Sequence, residues 1–235
     1  MANKINLREL VLNILLEIDK EGQYSHLVLR NTLEKYQYLE KKERAFITRI
    51  CEGTLEYRIR LDYILDQFST VPADKMKPVI RELLRSSVYQ LLYMDHVPDS
   101  AVCNEAVKLA RKRGFYNLTG FVNGVLRRIV REYGSIHFPE KNSPVEYLSV
   151  IYSMPVWLVE RFLKEYDFAT TEKMLESFLE TQPATIRIRE YQTEEEAVLE
   201  SLKEEKVTVE KAPYVDRAYY VKNYDYLPAL TAFRR

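Results

Sequence analysis

Glycine is scarce in this 235-residue chain: there are six, and none follows Gly134. Backbone that wraps closely around a nucleotide or cofactor phosphate typically relies on glycine, which removes the Cβ from the line of approach. The stretch after Gly134 is therefore ill suited to a glycine-rich cofactor loop, and no G-x-S-x-G, P-loop or G-x-G-x-x-G sequence occurs anywhere. Cysteine is equally rare. Cys51 and Cys103 fall in helical apolar patterns without metal-type spacing. That argues for buried, reduced thiols in a cytoplasmic protein rather than a nucleophile, a disulfide or a zinc site. The three histidines, His26, His96 and His137, are too scattered to form a metal motif. The longest uncharged run, Tyr147 to Val159, is too short to span a bilayer and is interrupted by Pro155. No basic segment followed by an apolar one opens the chain, so no signal peptide is expected.

Net charge is also missing, with 35 basic and 35 acidic side chains, but this balance hides a local excess. Residues 101–134 carry seven basic and two acidic groups, and residues 135–235 carry thirteen and eighteen. A basic patch confined to one or two helices is a better pointer to nucleic acid than overall charge. A solvated helix face is the alternative reading.

The first 134 residues predict helix throughout. Leu7, Leu10, Val11, Ile14, Leu15 and Ile18 make a first amphipathic stripe. His26–Tyr36 predicts a short second helix. Lys41–Phe68 predicts one long helix or two broken near Gly53. Val79 to Leu92 gives another stripe, ending before Pro98. A helix from about Asp99 to Arg113 stops at Gly114, and one more spans FVNGVLRR. In that last helix Phe121, Val122, Val125, Leu126 and Ile129 share the apolar face, and Gly124, Arg127, Arg128 and Arg131 the opposite one. Guanidinium groups presented this way suit phosphate or carboxylate. Asn123 borders the stripe, where a buried amide bond to a neighbouring helix is expected.

Residues 135–150, with two prolines, predict a linker. Two helices are expected near Pro155–Tyr166 and Thr170–Glu180. ATIRIR from Ala184, VTVE from Val207 and AYYVKN from Ala218 predict strands, with a helix opened by Thr193 and Glu196 between the first two. The fold class is thus mainly α: an all-α bundle over 1–134, the linker 135–150, and over 151–235 a helical connector with a small, incomplete α+β module. Tyr214, Tyr219, Tyr220, Tyr224 and Tyr226 crowd the last strands, through strand propensity and packing or as base-stacking surfaces.

The first 134 residues resemble the helical RNA-binding domain of the antitermination factor NusB. ELLRSSVYQLLYMDHVPDSAVCNEAVKLARKRG, followed by FVNGVLRR, looks like the version fused to the bacterial ribosomal RNA cytosine-C5 methyltransferases called Sun, Fmu or RsmB. YSMPVWLVERFLKEY and TQPATIRIR resemble that family's inter-domain helices and small RRM-like (ferredoxin-like) domain. The resemblance implies a NusB-like bundle, 16S ribosomal RNA as partner with a ribosomal protein as a second candidate, and S-adenosylmethionine as cofactor of the full-length enzyme. It also implies a D-x-C-A-A-P-G-G-K-T-like loop and cysteines after proline and threonine for catalysis. None of these occurs here, and the closing YLPALTAFRR resembles the lead-in to the methyltransferase domain. The expected role is substrate recognition, with no catalytic, metal or cofactor residue. Lys108, Arg111, Lys112, Arg127, Arg128 and Arg131 are the expected phosphate contacts, joined by Lys4 and Arg8 by analogy with NusB. A free-standing NusB-like factor and a protein-interaction module remain as alternatives.

Overall fold

The computed structural model describes residues 5–189 and 194–233. They divide into two compact units, one up to Leu179 and one from Glu180. The first unit is helical: α1 (Leu7–Glu21), α2 (Ser25–Lys35), α3 (Lys41–Glu56), α4 (Arg58–Phe68), α5 (Pro78–Tyr93), α6 (Asp99–Lys112), α7 (Thr119–Arg131), α8 (Pro144–Ile151), α9 (Val156–Glu165) and α10 (Phe168–Phe178). The amphipathic stripes of α1, α5 and α7 converge on one core that holds Leu12, Ile14, Ile64, Leu84, Leu126 and Ile129 out of solvent. Burying such side chains stabilises by about 1.5–3 kcal/mol each.

The α3–α4 break falls at Tyr57, not near Gly53. Gly53 lies inside α3 on its buried face, where a methyl group would overlap the Tyr89 ring of α5. The missing side chain is therefore a contact point for α5. Gly114 does stop α6: its φ is +84°, and the following amide of Phe115 returns to the Ala110 carbonyl at 2.9 Å, the left-handed closure that favours glycine.

Residues 135–150 are only partly a connector, because Pro144–Ile151 is helix. Pro144 starts α8 at a position where no amide hydrogen is needed, and Leu148 is fully buried against Val159 and Leu175. Helix α8 also packs on α4. The Oγ of Ser153 accepts from the Ile59 amide at 3.1 Å, and Gln67 clamps the His137 backbone in both directions at 3.0 Å. Helices α8–α10 therefore belong to the first compact unit, whereas the sequence places them in the linker and the C-terminal segment.

Helix α5 holds a charge network that periodicity does not reveal. Arg85, 4% exposed, donates from Nε and Nη2 to the two Asp62 carboxylate oxygens at 2.7 and 2.5 Å, and from Nη1 to Glu82 at 2.5 Å. Arg81 reaches Asp19 of α1 at 2.6 Å. Three helices are thus pinned in register by charge-assisted bonds.

The second unit is β1 (Ala184–Arg187), α11 (Glu195–Glu204), β2 (Thr208–Lys211) and β3 (Ala218–Lys222), an antiparallel sheet in the order β1-β3-β2. Ile186 pairs with Tyr219, and Val209 with Val221. These residues form a core with Val198 and Leu202 of α11, so period-two alternation sets one sheet face against the helix. The predicted capping residue Thr193 lies outside the described residues. No helix among the described residues is long and apolar enough to cross a membrane.

Burial raises both cysteine thiols, Cys51 furthest. We expect neither to react with a thiol-specific reagent in the native protein, and both to react after denaturation, because only an accessible thiolate attacks. Fast native labelling of Cys103 would contradict this.

Candidate nucleic-acid interface

Helices α6 and α7 pack against each other, and α1 lies against α6 through a polar seam. Asn6 Nδ2 donates to Glu105 at 3.1 Å, Lys112 Nζ meets Glu9 at 2.5 Å, and Arg113 bonds Asn13 and approaches Glu9 at 3.5 Å. The seam gives two cations at the end of α6, Lys112 and Arg113, one carboxylate partner from outside the basic segment, Glu9.

The predicted phosphate contacts separate into groups. Lys108 pairs with Glu105 at 2.7 Å, and Lys112 with Glu9. Arg128 and Arg131 share Glu132, at 3.0 and 2.6 Å. Their hydrogen bonds hold the Glu132 carboxyl below the usual carboxylate range, so it keeps its charge at neutral pH and offsets part of the arginine face. Arg111 and Arg127 differ: both are exposed, and among the described residues neither has a carboxylate within ion-pair distance. Arg127 Nε donates instead to the Asn123 amide oxygen at 3.1 Å. The buried bond expected of Asn123 is thus a half-exposed bond within its own helix, because the amide sits at the edge of the apolar stripe, one turn before Arg127.

The arginines of α7 share a face but not a direction. Arg128 lies over the Phe68 ring of α4, with its guanidinium carbon 5.5 Å from the centroid. Arg127 instead turns back along its own helix to Asn123. Gly120 and Gly124 have open space where a side chain would stand, so α7's outer face admits a close backbone approach beside Arg127. Arg8 is drawn inward. Its Nε donates to Gln90 at 2.7 Å, its guanidinium carbon sits 5.2 Å from the Phe46 centroid, and burial lowers its pKa. Lys4 lies outside the described residues.

Exposed ion pairs contribute about 0–1 kcal/mol, so an incoming phosphate can displace Glu9, Glu105 or Glu132 at little cost. The pairing of Arg128 and Arg131 with Glu132 is legible in the sequence, within one turn; that of Lys112 with Glu9 is not, because the two are brought together only by folding. Among the described residues no group of His, Cys, Asp and Glu is arranged to hold a metal. A face of exposed guanidinium and ammonium groups suits phosphate or carboxylate ligands.

Residues 5–131 match the NusB family, and residues 154–224 match the RsmF/B-like methyltransferase ferredoxin-like domain. The chain is 34% identical over 215 residues to the probable ribosomal RNA small subunit methyltransferase B of Bacillus subtilis, covering 92% of this chain and 47% of that protein. It is 26% identical to the Yersinia pseudotuberculosis ribosomal RNA small subunit methyltransferase B, covering 91% and 47%. The chain therefore spans about half the length of the curated relatives it matches. Among solved structures, PH0851 superposes with a TM-score of 0.69 at 20% identity, covering 98% of this chain and 52% of that one. A chain from the complex of NusB and NusE with double-stranded RNA superposes at 0.50 and 21% identity, covering 54% and 95%. With its helical bundle matched from Ile5 to Arg131, the chain belongs to the NusB family, and it carries the ferredoxin-like domain of RsmF/B-type methyltransferases behind that bundle.

Proposed function

We propose that this chain is the RNA-recognition part of a cytoplasmic, S-adenosylmethionine-dependent methyltransferase acting on cytosine C5 of small-subunit ribosomal RNA. The observation that carries the reading is the order of the two matched regions. Both lie in one chain, and relatives bearing the methyltransferase name align along more than nine-tenths of it. A free-standing antitermination-type factor would have no use for residues 154–224. Within these residues the work is docking: Arg111 and Arg127 supply cations with no carboxylate partner among the described residues, and Lys108, Lys112, Arg128 and Arg131 supply cations whose carboxylate partners exchange for phosphate. Methyl transfer and cofactor binding fall to parts of the enzyme outside these residues.

Two measurements on the purified chain test this. Titration with small-subunit ribosomal RNA fragments should show tighter binding than with unrelated RNA of equal length. Calorimetry with S-adenosylmethionine should show no binding. Low-micromolar affinity for the cofactor, or indifference between the RNAs, would overturn the reading.

A further inference from the structure

Helix α9 turns its tryptophan away from the core. Val159 is fully buried, with Leu158, Phe162 and Leu163 half-buried beside it. At about 100° per residue, Trp157 stands roughly 200° round the helix from Val159. It is 65% exposed, and Val156 before it is 50% exposed. Single exposed apolar residues are ordinary, but these two border a hollow. Between α8 and α9 a space of about 410 Å³ opens to solvent, walled by Pro144, Val145, Val150 and Val156. Ser149 also lines it, but its hydroxyl donates to the Met154 carbonyl at 2.7 Å, so the lining is apolar in character. The rim is acidic. Glu146 lines the hollow directly, and Glu160 stands one turn along α9 from Val156. Both are exposed, and among the described residues neither has a cation within ion-pair distance. Nearby cations pair elsewhere, Lys141 with Glu172 at 3.0 Å and Arg161 with Glu165 at 3.7 Å, while Lys164, one turn beyond Glu160, is outside that distance. No residue of α6 or α7 lines the hollow.

We infer that this hollow docks a basic protein segment. One bulky apolar side chain enters it against Val156 and Val150, Trp157 covers that side chain from α9, and lysine or arginine residues on either side meet Glu146 and Glu160. Rim carboxylates repel a phosphate backbone and attract ammonium and guanidinium groups, so an apolar hollow edged by them selects a cationic polypeptide over RNA. Tryptophan is among the residue types that carry most of the energy at protein interfaces, where it packs in a desolvated centre. The inference stands apart from the RNA-recognition reading, whose cations lie on α6 and α7.

Trp157 is the only tryptophan in the chain, so its emission reports on this site. The probe is a short synthetic peptide with one central leucine flanked on each side by lysines and glycines, titrated into the full chain. A saturable blue shift is expected as the indole loses water. Replacing the peptide's leucine by glycine should weaken binding roughly ten-fold, the effect of removing an interface anchor. Glu146→Gln with Glu160→Gln should weaken it by roughly the same factor and reduce its sensitivity to salt. Val156→Ser, folded by circular dichroism, should also bind more weakly. No shift with the leucine peptide, equal affinity for the glycine peptide, or unchanged affinity in the folded Gln double variant would each overturn the inference. So would a shift produced by an unstructured RNA, which would assign the surface to nucleic acid, or by concentrating the chain alone, which would assign it to a second copy. RNA binding through Arg111 and Arg127 should be the same in these variants, so failure here leaves the proposed function standing.

Discussion

Arg85→Ala is expected to lower the stability of the helical unit by about 3–5 kcal/mol, because it leaves Asp62 and Glu82 without their shared cation. Glu82 is 2% exposed, and the contact it keeps, to Arg81 Nε, is long at 3.5 Å. For a chain of this size the melting temperature should fall by on the order of 10 °C. The pH dependence carries a sign. Burial raises the Glu82 carboxyl and Arg85 opposes that effect, so removing Arg85 raises the carboxyl further. A carboxyl whose folded pKa exceeds its unfolded one binds more protons in the folded state. Its favourable contribution is complete below the unfolded pKa and is lost as pH rises through the folded one. The deficit of Arg85→Ala should therefore shrink on acidification and be full at neutral pH. Chemical denaturation at both pH values checks this; a loss under 1 kcal/mol at neutral pH would mean that water solvates the network.

Gly53→Ala should cost about 1–3 kcal/mol, as expected of overpacking, even though alanine favours helix over glycine by about 1 kcal/mol. The new methyl would overlap Tyr89, whose ring is confined by Tyr93 at 5.1 Å between centroids. Tyr89→Leu should absorb part of that cost. The double variant is then expected to lose at least about 1 kcal/mol less than the two single losses together, the coupling typical of residues in contact. Additive losses would show that α3 shifts away from α5 instead.

These two sites mark the limits of reading this sequence. The stripes of α1, α5 and α7 are visible because one buried face repeats at 3.6 residues, and β1–β3 because apolar and polar residues alternate. Gly53 reads as a helix breaker in isolation, since only the packed structure places the Tyr89 ring against it. Glu82 and Arg85 sit in a mostly uncharged helix, and nothing local announces that Asp62 arrives from another one. Helix α8 is eight residues long and opens with Ser-Pro, a composition that suits a linker equally well. The basic character of α6 and α7 is legible, but the complete division into paired and unpaired cations is not. Glu9 comes from α1, more than a hundred residues away from Lys112 in sequence.

We propose that the outer faces of α6 and α7 bind RNA phosphates, with Arg111 and Arg127 as cations that have no carboxylate within ion-pair distance among the described residues. The most direct measurement is the salt dependence of binding to a small-subunit ribosomal RNA hairpin by wild type and by Arg111→Gln with Arg127→Gln. As surface substitutions these should change stability by no more than about 0.5 kcal/mol each. The double variant is expected to bind more weakly, with a slope of log K against log salt shallower by roughly 0.7–0.9 per arginine. An unchanged slope in a variant whose circular dichroism and melting temperature match wild type would contradict it and leave this face merely solvated.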